Sequence, residues 1–350
     1  ALAMLAVTAT TTMAREAPVS FADLAEKLLP AVVNVSTTQT VEADRTPEMP
    51  QFPPGSPFED FFKEFLDKQR QDTPRKATSL GSGFIIDPSG LIVTNNHVIA
   101  DADEINVILH DNNTFKAKVI GRDTKTDLAL LKIEPRQPLT AVSFGDSDKM
   151  RVGDWVLAIG NPFGLGGTVT AGIISARARD INAGPYDDFL QTDASINRGN
   201  SGGPMFNMAG EVIGINTAIF SPSGGSIGIG FAIPSSMANT VIADLQKFGK
   251  TRRGWLGVRI QSVSEEIADS LSLKTPHGAL VASVSEGGPA AQSGIKAGDV
   301  VLSFNGRDVD EMKRLPRIVA ETEIGKKVEV VVWRDGKEVR LPVVIGELKD

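Results

Sequence analysis

Short apolar segments separated by turn-forming residues make up most of the chain as far as Gly249. Residues 91–94 and 105–109 are typical examples, each rich in leucine, isoleucine or valine and bounded by polar turns. Residues 87–90, Asp-Pro-Ser-Gly, suit a type I turn. Short strands punctuated in this way favour a mainly β barrel or sandwich over alternating strands and helices. One longer helix is predicted over residues 235–248, and Gly249 marks its end.

The pattern changes after residues 250–254, which we interpret as a short linker. Residues 255–350 combine strand patterns with a glycine-rich stretch over 288–301 that ends in Gly-Asp-Val-Val. This composition predicts a second, smaller α+β domain. The length of 350 residues agrees with about two domains.

The N-terminal residues 1–14 combine an apolar run with small residues before Arg15, as at the end of a secretory signal peptide. We interpret them as a signal-peptide remnant cleaved after Ala14. The run is far shorter than the roughly 20 apolar residues of a membrane-spanning helix. An uncleaved anchor that extends upstream is the alternative.

A polar, proline-rich stretch over residues 39–76 interrupts the strands. Its prolines disfavour regular structure, although residues 58–66 carry apolar side chains at helical spacing. Two interpretations stay open. The stretch is either a partly ordered surface loop or a regulatory loop whose aromatic face docks elsewhere.

Composition narrows the classes of function. The net charge is −7 and the isoelectric point about 5.2, with no basic stripe, so nucleic acid is not an expected partner. The absence of cysteine excludes thiol catalysis, Cys-ligated zinc and disulfides. Three scattered histidines argue against a histidine metal site. We therefore expect neither a metal nor a cofactor.

The segment Gly199-Asn200-Ser201-Gly202-Gly203-Pro204 is the strongest chemical signal in the chain. Glycines leave the Ser201 hydroxyl accessible and let backbone N–H groups turn toward a reacting carbonyl oxygen. An oxyanion hole needs such fixed donors, and we assign them to Gly199 and Ser201. Taken alone, the segment also suits an ordinary glycine-rich turn.

A nucleophilic serine needs a base and a group that orients the base. Of the histidines, His110 precedes a hairpin turn and His277 lies in a C-terminal loop, whereas His97 follows an apolar strand. Asp127 opens the apolar run 128–133, where a buried carboxylate would need a hydrogen-bond partner. We favour Asp127 over Asp123, which has the character of a turn residue.

Three segments together resemble the HtrA/Deg family of serine proteases: residues 94–98, 126–129 and 191–204. The resemblance covers nearly the whole chain from Phe21 onward. It implies a chymotrypsin-like double β-barrel protease domain over residues 15–249, with the catalytic triad His97, Asp127 and Ser201. It also implies a homo-trimer or a larger cage and a periplasmic location.

The C-terminal region resembles a PDZ domain over residues 255–350. The resemblance implies that Trp255, Leu256, Gly257 and Val258 form the loop that captures a peptide carboxylate. Residues 258–261 would be the receiving strand edge, and residues 310–321 the groove helix. A small domain that only packs on the protease is the alternative.

The expected specificity pocket is apolar and involves Ile196, Asn200, Ile215, Asn216 and Thr217. Asn200 stands where the pancreatic proteases have an aspartate that pairs with a new N-terminus, so activation by clipping is not expected. We expect instead that loops 177–189, 196–200 and 218–226 order when peptide binds.

The resemblance predicts an ATP-independent endoprotease that degrades unfolded periplasmic polypeptides and binds C-terminal peptides, with possible chaperone activity and loose membrane association. Three alternatives stay open: a holdase chaperone, a membrane-anchored or regulated signalling protease with a narrow substrate, and a scaffold built on the PDZ domain.

Overall fold

The computed structural model describes residues 17–40, 76–161, 166–197, 199–222 and 224–349. The predicted signal-peptide remnant and nearly all of the proline-rich loop 39–76 lie outside these residues. Within the described ranges, no helix is both long and apolar enough to cross a membrane.

The first barrel unit follows a short helix α1 (Ala22–Leu28) and a 3-10 turn (Leu29–Ala31). Its strands are β1 (Val32–Thr40), β2 (Lys76–Asp87), β3 (Leu91–Asn95), β4 (Glu104–Ile108), β5 (Thr114–Lys116), β6 (Lys118–Asp123) and β7 (Leu128–Lys132), with the one-turn helix α2 (Asn96–Ile99) after β3. They form a seven-stranded sheet in the order β5-β4-β1-β2-β3-β7-β6. Strands β3 and β4 agree with the apolar segments 91–94 and 105–109 to within one residue, whereas β1 and β2 extend to Thr40 and Lys76, the two ends of the proline-rich stretch.

The second unit is a closed barrel, ordered β10-β13-β12-β11-β8-β9. Its strands are β8 (Trp155–Gly160), β9 (Thr168–Arg179), β10 (Phe189–Thr192), β11 (Pro204–Phe206), β12 (Val212–Ile219) and β13 (Gly230–Pro234), preceded by a 3-10 turn (Ser147–Lys149). Helix α3 (Ser235–Phe248) follows and ends at Gly249 in the left-handed conformation, as predicted.

A shared apolar core joins the two barrels. Phe84 and Leu128 of the first barrel pack in the same buried cluster as Leu157 and Phe206 of the second, and Leu245 of α3 closes it. This packing fixes the ends of β3 and β7 against the β11–β12 region. The candidate site therefore lies on a rigid seam between barrels.

The C-terminal unit is a separate α+β fold with its own buried cluster. Its elements are β14 (Gly254–Trp255), β15 (Val258–Ser262), α4 (Glu265–Ser270), β16 (Ala279–Val284), α5 (Pro289–Gln292), β17 (Val300–Phe304), β18 (Arg307–Asp308), α6 (Arg314–Ala320), β19 (Lys327–Arg334), β20 (Lys337–Val344) and β21 (Gly346–Glu347). The helix predicted over 310–321 is shorter, because Asp310 accepts from the N–H of Glu311 and the next residues form a turn.

Candidate active site

His97 and Asp127 meet at the end of adjacent strands. The His97 Nδ1 atom lies 2.6 Å from Oδ2 of Asp127, and the backbone N–H of His97 donates to Oδ1 at 2.8 Å. A carboxylate can only accept, so the Nδ1 atom carries the proton and the Nε2 atom is left as an acceptor. This is the arrangement that a general-base histidine requires.

Local structure brings the two residues together. Strands β3 and β7 pair with Asn95 opposite Leu128, so the residues beyond each strand end are neighbours. Asp127 has a φ of 56°, in the left-handed region that aspartate tolerates, and its carbonyl accepts from the backbone N–H of Asn96 at 3.0 Å. That bond starts the one-turn helix that carries His97, where the sequence pattern had predicted a polar turn.

The structure buries Asp123 more deeply than Asp127, the reverse of what the sequence predicts. The side chain of Asp127 is 28% exposed, whereas that of Asp123 is 5% exposed and pairs with Arg253. Asp123 also accepts from the Thr126 hydroxyl at 2.5 Å, so it holds the turn that leads to Asp127. The expectation that the orienting carboxylate is the buried one is wrong: the carboxylate bonded to His97 is partly exposed.

The loop around Ser201 needs its glycines. Gly202 has a φ of 84°, and a Cβ there would lie 2.2 Å from the carbonyl oxygen of Ser82. Gly199 has a φ of 98° in a turn that the N–H of Asn200 closes onto the carbonyl of Asn197 at 3.0 Å. Both positions therefore exclude a side chain, for reasons of conformation and, at Gly202, of space.

The N–H groups assigned to the oxyanion hole are available. Neither Gly199 nor Ser201 donates its N–H to an acceptor within the described part of the chain. The carbonyl of Asn200 accepts from Gly203 at 2.9 Å, which turns the N–H of Ser201 to the opposite side of the same trans peptide.

A chain of hydrogen bonds through Thr217 and Asn95 links Ser201 to Asp127. The Ser201 hydroxyl donates to the carbonyl of Thr217 at 3.4 Å, while the Asn95 amide donates to the Thr217 hydroxyl at 3.1 Å and to the carbonyl of Asp127 at 2.8 Å. Among the described contacts, Ser201 makes no direct hydrogen bond to His97. Such bonds are often long in a substrate-free site and tighten in the substrate complex.

The five predicted pocket residues lie on both sides of Ser201, mostly below the surface. Ile196, Ile215 and Asn216 are at most 1% exposed and Asn200 is 3% exposed, whereas Thr217 is partly exposed. Ile196 fills the space beside Gly230, where a Cβ would lie 2.8 Å from its Cγ1. The Oδ1 atom of Asn197 accepts from the N–H of Ser226, which joins the nucleophile loop to the loop before β13.

The other two histidines lie apart from this site. His110 is exposed in the turn after β4. His277 contacts Asp308 in the C-terminal unit at 3.2 Å. The described residues contain no cluster of three or more potential metal-ligating side chains.

In the C-terminal unit, the predicted carboxylate loop turns its carbonyls inward. The carbonyl of Leu256 accepts from Ala290 at 2.9 Å, and that of Gly257 accepts from Ser285 at 2.8 Å. The N–H groups of Gly257 and Val258 therefore point away from these partners. Gly257 has a φ of 80°, which favours glycine there.

Helix α6 contacts the loop between β9 and β10. Arg317 pairs with Asp188 at 2.5 Å, and Lys313 binds both Asp180 and Oδ1 of Asn182, the latter at 2.8 Å. Burial raises the pKa of the Asp188 carboxyl, and the Arg317 charge opposes that shift. The Lys313 hydrogen bond lowers the pKa of Asp180. The predicted groove helix is thus tied to loop 177–189.

Sequence reasoning missed two residues that organise the site. Ser82 lies between Gly81 and Gly83 in a strand, and Asn95 precedes the motif histidine, but both have bonding partners that are distant in sequence. The sequence pattern also places Arg253 in a linker, whereas the structure buries it against Asp123 and 4.8 Å above the Tyr186 ring. Arg253 lies in the short basic run 250–253, and such a run is typical of exposed residues.

Comparisons with known proteins agree with this geometry. A trypsin-like peptidase domain model matches residues 81–215, and a PDZ domain model matches residues 254–345. The fold expectation of a mainly β trypsin-like domain followed by a PDZ domain is confirmed.

Curated relatives are named DegP-like periplasmic serine endoproteases. The relative from Brucella suis is 51% identical over 352 residues, which cover 94% of this chain and 69% of that protein. The relative from Rickettsia conorii is 53% identical over 333 residues, which cover 93% of this chain and 65% of that protein.

Solved structures give the same result. The HtrA-type protease AlgW with a decapeptide has a TM-score of 0.75 and 42% identity, covering 95% of this chain and all of that one (100%). The serine endoprotease from Yersinia pestis has a TM-score of 0.63 and 36% identity over 95% of this chain and 100% of that one. The chain therefore belongs to the HtrA/Deg family of trypsin-like serine endoproteases with a PDZ domain.

Proposed function

We propose that this serine endoprotease degrades unfolded or misfolded polypeptides in the periplasm without ATP, using His97, Asp127 and Ser201. The observation that carries the proposal is the Asp127 carboxylate, which accepts one hydrogen bond from the backbone N–H of His97 and one from its Nδ1 atom, the latter at 2.6 Å. Its relatives' names support the periplasmic location.

In the proposed reaction, the Ser201 hydroxyl attacks the scissile carbonyl as His97 takes its proton at Nε2. The N–H groups of Gly199 and Ser201 stabilise the oxyanion. His97 then gives the proton to the leaving amine, and water hydrolyses the acyl-enzyme by the same path in reverse. Asp127 holds the ring and stabilises the imidazolium, because its carboxylate accepts from Nδ1.

The surface near the site suits apolar substrates. Phe220 is 60% exposed and Ile227 51% exposed, both in the loop that follows β12 beyond Thr217. Single exposed apolar residues are common, but two in a loop that a hydrogen bond from Ser226 to Asn197 joins to the nucleophile loop favour binding of extended apolar segments. Unfolded chains display such segments. We expect cleavage after small or medium aliphatic residues.

Hydrolysis of reduced casein by the wild type and by Ser201→Ala tests the proposal. Removal of the serine should lower kcat by roughly 10⁶-fold, by analogy with the nucleophilic serine of subtilisin. The new termini identify the residue preferred before the cut. Casein cleavage by Ser201→Ala at the wild-type rate would disprove the assignment.

We further propose that a C-terminal peptide at Trp255, Leu256, Gly257 and Val258 regulates cleavage. The contacts of α6 with loop 177–189 support a path from the peptide groove to the protease. A peptide that adds a strand at β15 would press against α6 and change these ion pairs. An apolar peptide with a free carboxylate should stimulate casein cleavage, and its amide should not. Equal stimulation by both would contradict carboxylate capture.

These same ion pairs favour a second candidate, a regulated signalling protease with a narrow substrate. A holdase chaperone is a further alternative. Ser201→Ala that still prevents aggregation of unfolded protein would support holding activity beside proteolysis. Assembly as a homo-trimer or larger cage, and loose membrane association, stay proposals that mass measurement and vesicle binding can test.

A further inference from the structure

The loop before Ser201 lacks the ion pair that fixes the corresponding loop of the pancreatic proteases. Asn200 has no charge, so it cannot pair with an N-terminal ammonium as the aspartate of pancreatic proteases does. The loop must be fixed by other contacts if Gly199 and Ser201 are to hold their N–H groups in place. The following inference rests on the proposed role of Ser201.

Ser82 of β2 contacts this loop from the opposite barrel. Its hydroxyl donates to the carbonyl of Gly199 at 2.5 Å and accepts from the N–H of Asn161 at 2.7 Å. Its backbone N–H donates to the carbonyl of Ser201 at 2.8 Å. The side chain is fully buried. With one hydrogen on the hydroxyl and a carbonyl that can only accept, the direction of the Gly199 bond is unambiguous.

These bonds reach the two residues assigned to the oxyanion hole. Ser82 holds Gly199 through its side chain and Ser201 through its backbone. The peptide between Gly199 and Asn200 is bonded at both ends, since its N–H donates to Asn197. The Gly199 N–H belongs to the preceding peptide but is attached to the same Cα. A fixed Gly199 carbonyl therefore limits rotation about the ψ of Gly199, which would otherwise move this N–H, since glycine has little steric restraint of its own.

We propose that Ser82 is a positioning residue that sets the oxyanion hole, so that the first barrel fixes the transition-state donors of the second. The hydroxyl does not touch substrate. It acts by restraining the Gly199 carbonyl, and therefore affects the transition state more than the ground state.

Ser82→Ala removes the Gly199 bond and keeps the backbone bond to Ser201. Direct loss of an oxyanion donor costs about 10²–10³ in kcat, and loosening one should cost about 10–100-fold. We expect kcat for an aliphatic peptide substrate, and affinity for the matching peptide boronate, to fall by the same factor. KM should change less than about twofold, since only the tetrahedral adduct places an oxyanion in the hole.

Ser235→Ala is the matched control. The Ser235 hydroxyl is also fully buried, donates to the carbonyl of Gly145 at 2.7 Å and accepts from the N–H of Ser147 at 3.1 Å. Its loss should lower the Tm by a similar amount and leave kcat and boronate affinity at wild-type values. Ser82→Cys replaces the hydroxyl with a somewhat larger group that is a weaker donor, and it should give an intermediate loss. This variant also serves if the alanine variant does not fold.

Two results would overturn the role of Ser82. One is a Ser82→Ala enzyme with wild-type kcat and boronate affinity; the other is an equal loss in Ser235→Ala. Failure of the proposed function is distinct, because the wild type itself would then neither cleave the peptide nor bind the boronate.

Discussion

The two halves of the candidate site are held in different ways. His97 and Asp127 are positioned by contacts within the first barrel: one strand pair, one turn and bonds from consecutive backbone N–H groups. Ser201 belongs to the second barrel, yet Ser82 of the first barrel binds its loop. The base is therefore set locally, while the nucleophile and its oxyanion donors depend on docking between barrels.

This difference separates two ways of losing activity. A change inside the first half should alter the chemical step without disturbing the barrel seam. A change at Arg253 or at the contacts of α6, which lie outside both halves, should alter stability or regulation first. The following predictions are ordered by the size of the expected effect.

Asp127→Asn should have the largest effect. The amide favours the wrong tautomer of His97, and the analogous change in a serine protease triad lowers kcat about 10⁴-fold. Asp123→Asn is the control, because it leaves the His97 bonds intact. Steady-state kinetics should show the large loss only at Asp127. A comparable kcat loss in a folded Asp123→Asn enzyme would show that the two aspartates were assigned the wrong way round.

Arg253→Ala tests whether His97 and Asp127 keep their positions without the ion pair between Arg253 and Asp123. The change leaves Asp123 buried without its cation, which typically costs about 3–5 kcal/mol of stability. Denaturant unfolding should show this loss, while kcat of the folded enzyme stays within a few-fold of wild type. A kcat loss as large as that of Asp127→Asn would mean that the base is not locally set.

Lys313→Ala should have the smallest effect. The Lys313 side chain is 52% exposed, and pairs of this kind contribute below about 1 kcal/mol. The bond lowers the pKa of Asp180 from its ordinary 3.8, so its contribution exists above that pH and is lost as pH falls through the lowered value. Unfolding of the wild type and of Lys313→Ala over a series of pH values from 7 downward measures this. A difference that grew on acidification would contradict the assignment.

The locally set half was also the easier one to predict. The apolar strand before His97 and the apolar run after Asp127 favour both residues as candidates, and the structure brings them together because their bonds form between neighbouring strands. Ser82 could not be identified in this way. Its side-chain partners lie 117 and 79 residues away in sequence, and a serine between two glycines is typical of any tight strand. Arg253 was likewise hidden, since its burial depends on how two domains pack.

Helix boundaries were predictable only where capping residues stood in the chain. The helix that ends at Gly249 was placed correctly, since glycine there adopts a φ of 71°. The groove helix was predicted too long, because local hydrogen bonding at Asp310 competes with the helix start. The pocket residues were named from resemblance, and their burial depends on contacts between loops that pattern alone does not encode.

Covalent labelling with a fluorophosphonate tests the central claim most directly, namely that Ser201 is a nucleophile activated by His97. Intact-mass measurement of the wild type should show one phosphonyl group, and peptide mapping should place it on Ser201. Ser201→Ala should stay unlabelled and His97→Ala should react far more slowly. A label on another residue, or a wild-type rate in His97→Ala, would contradict the account.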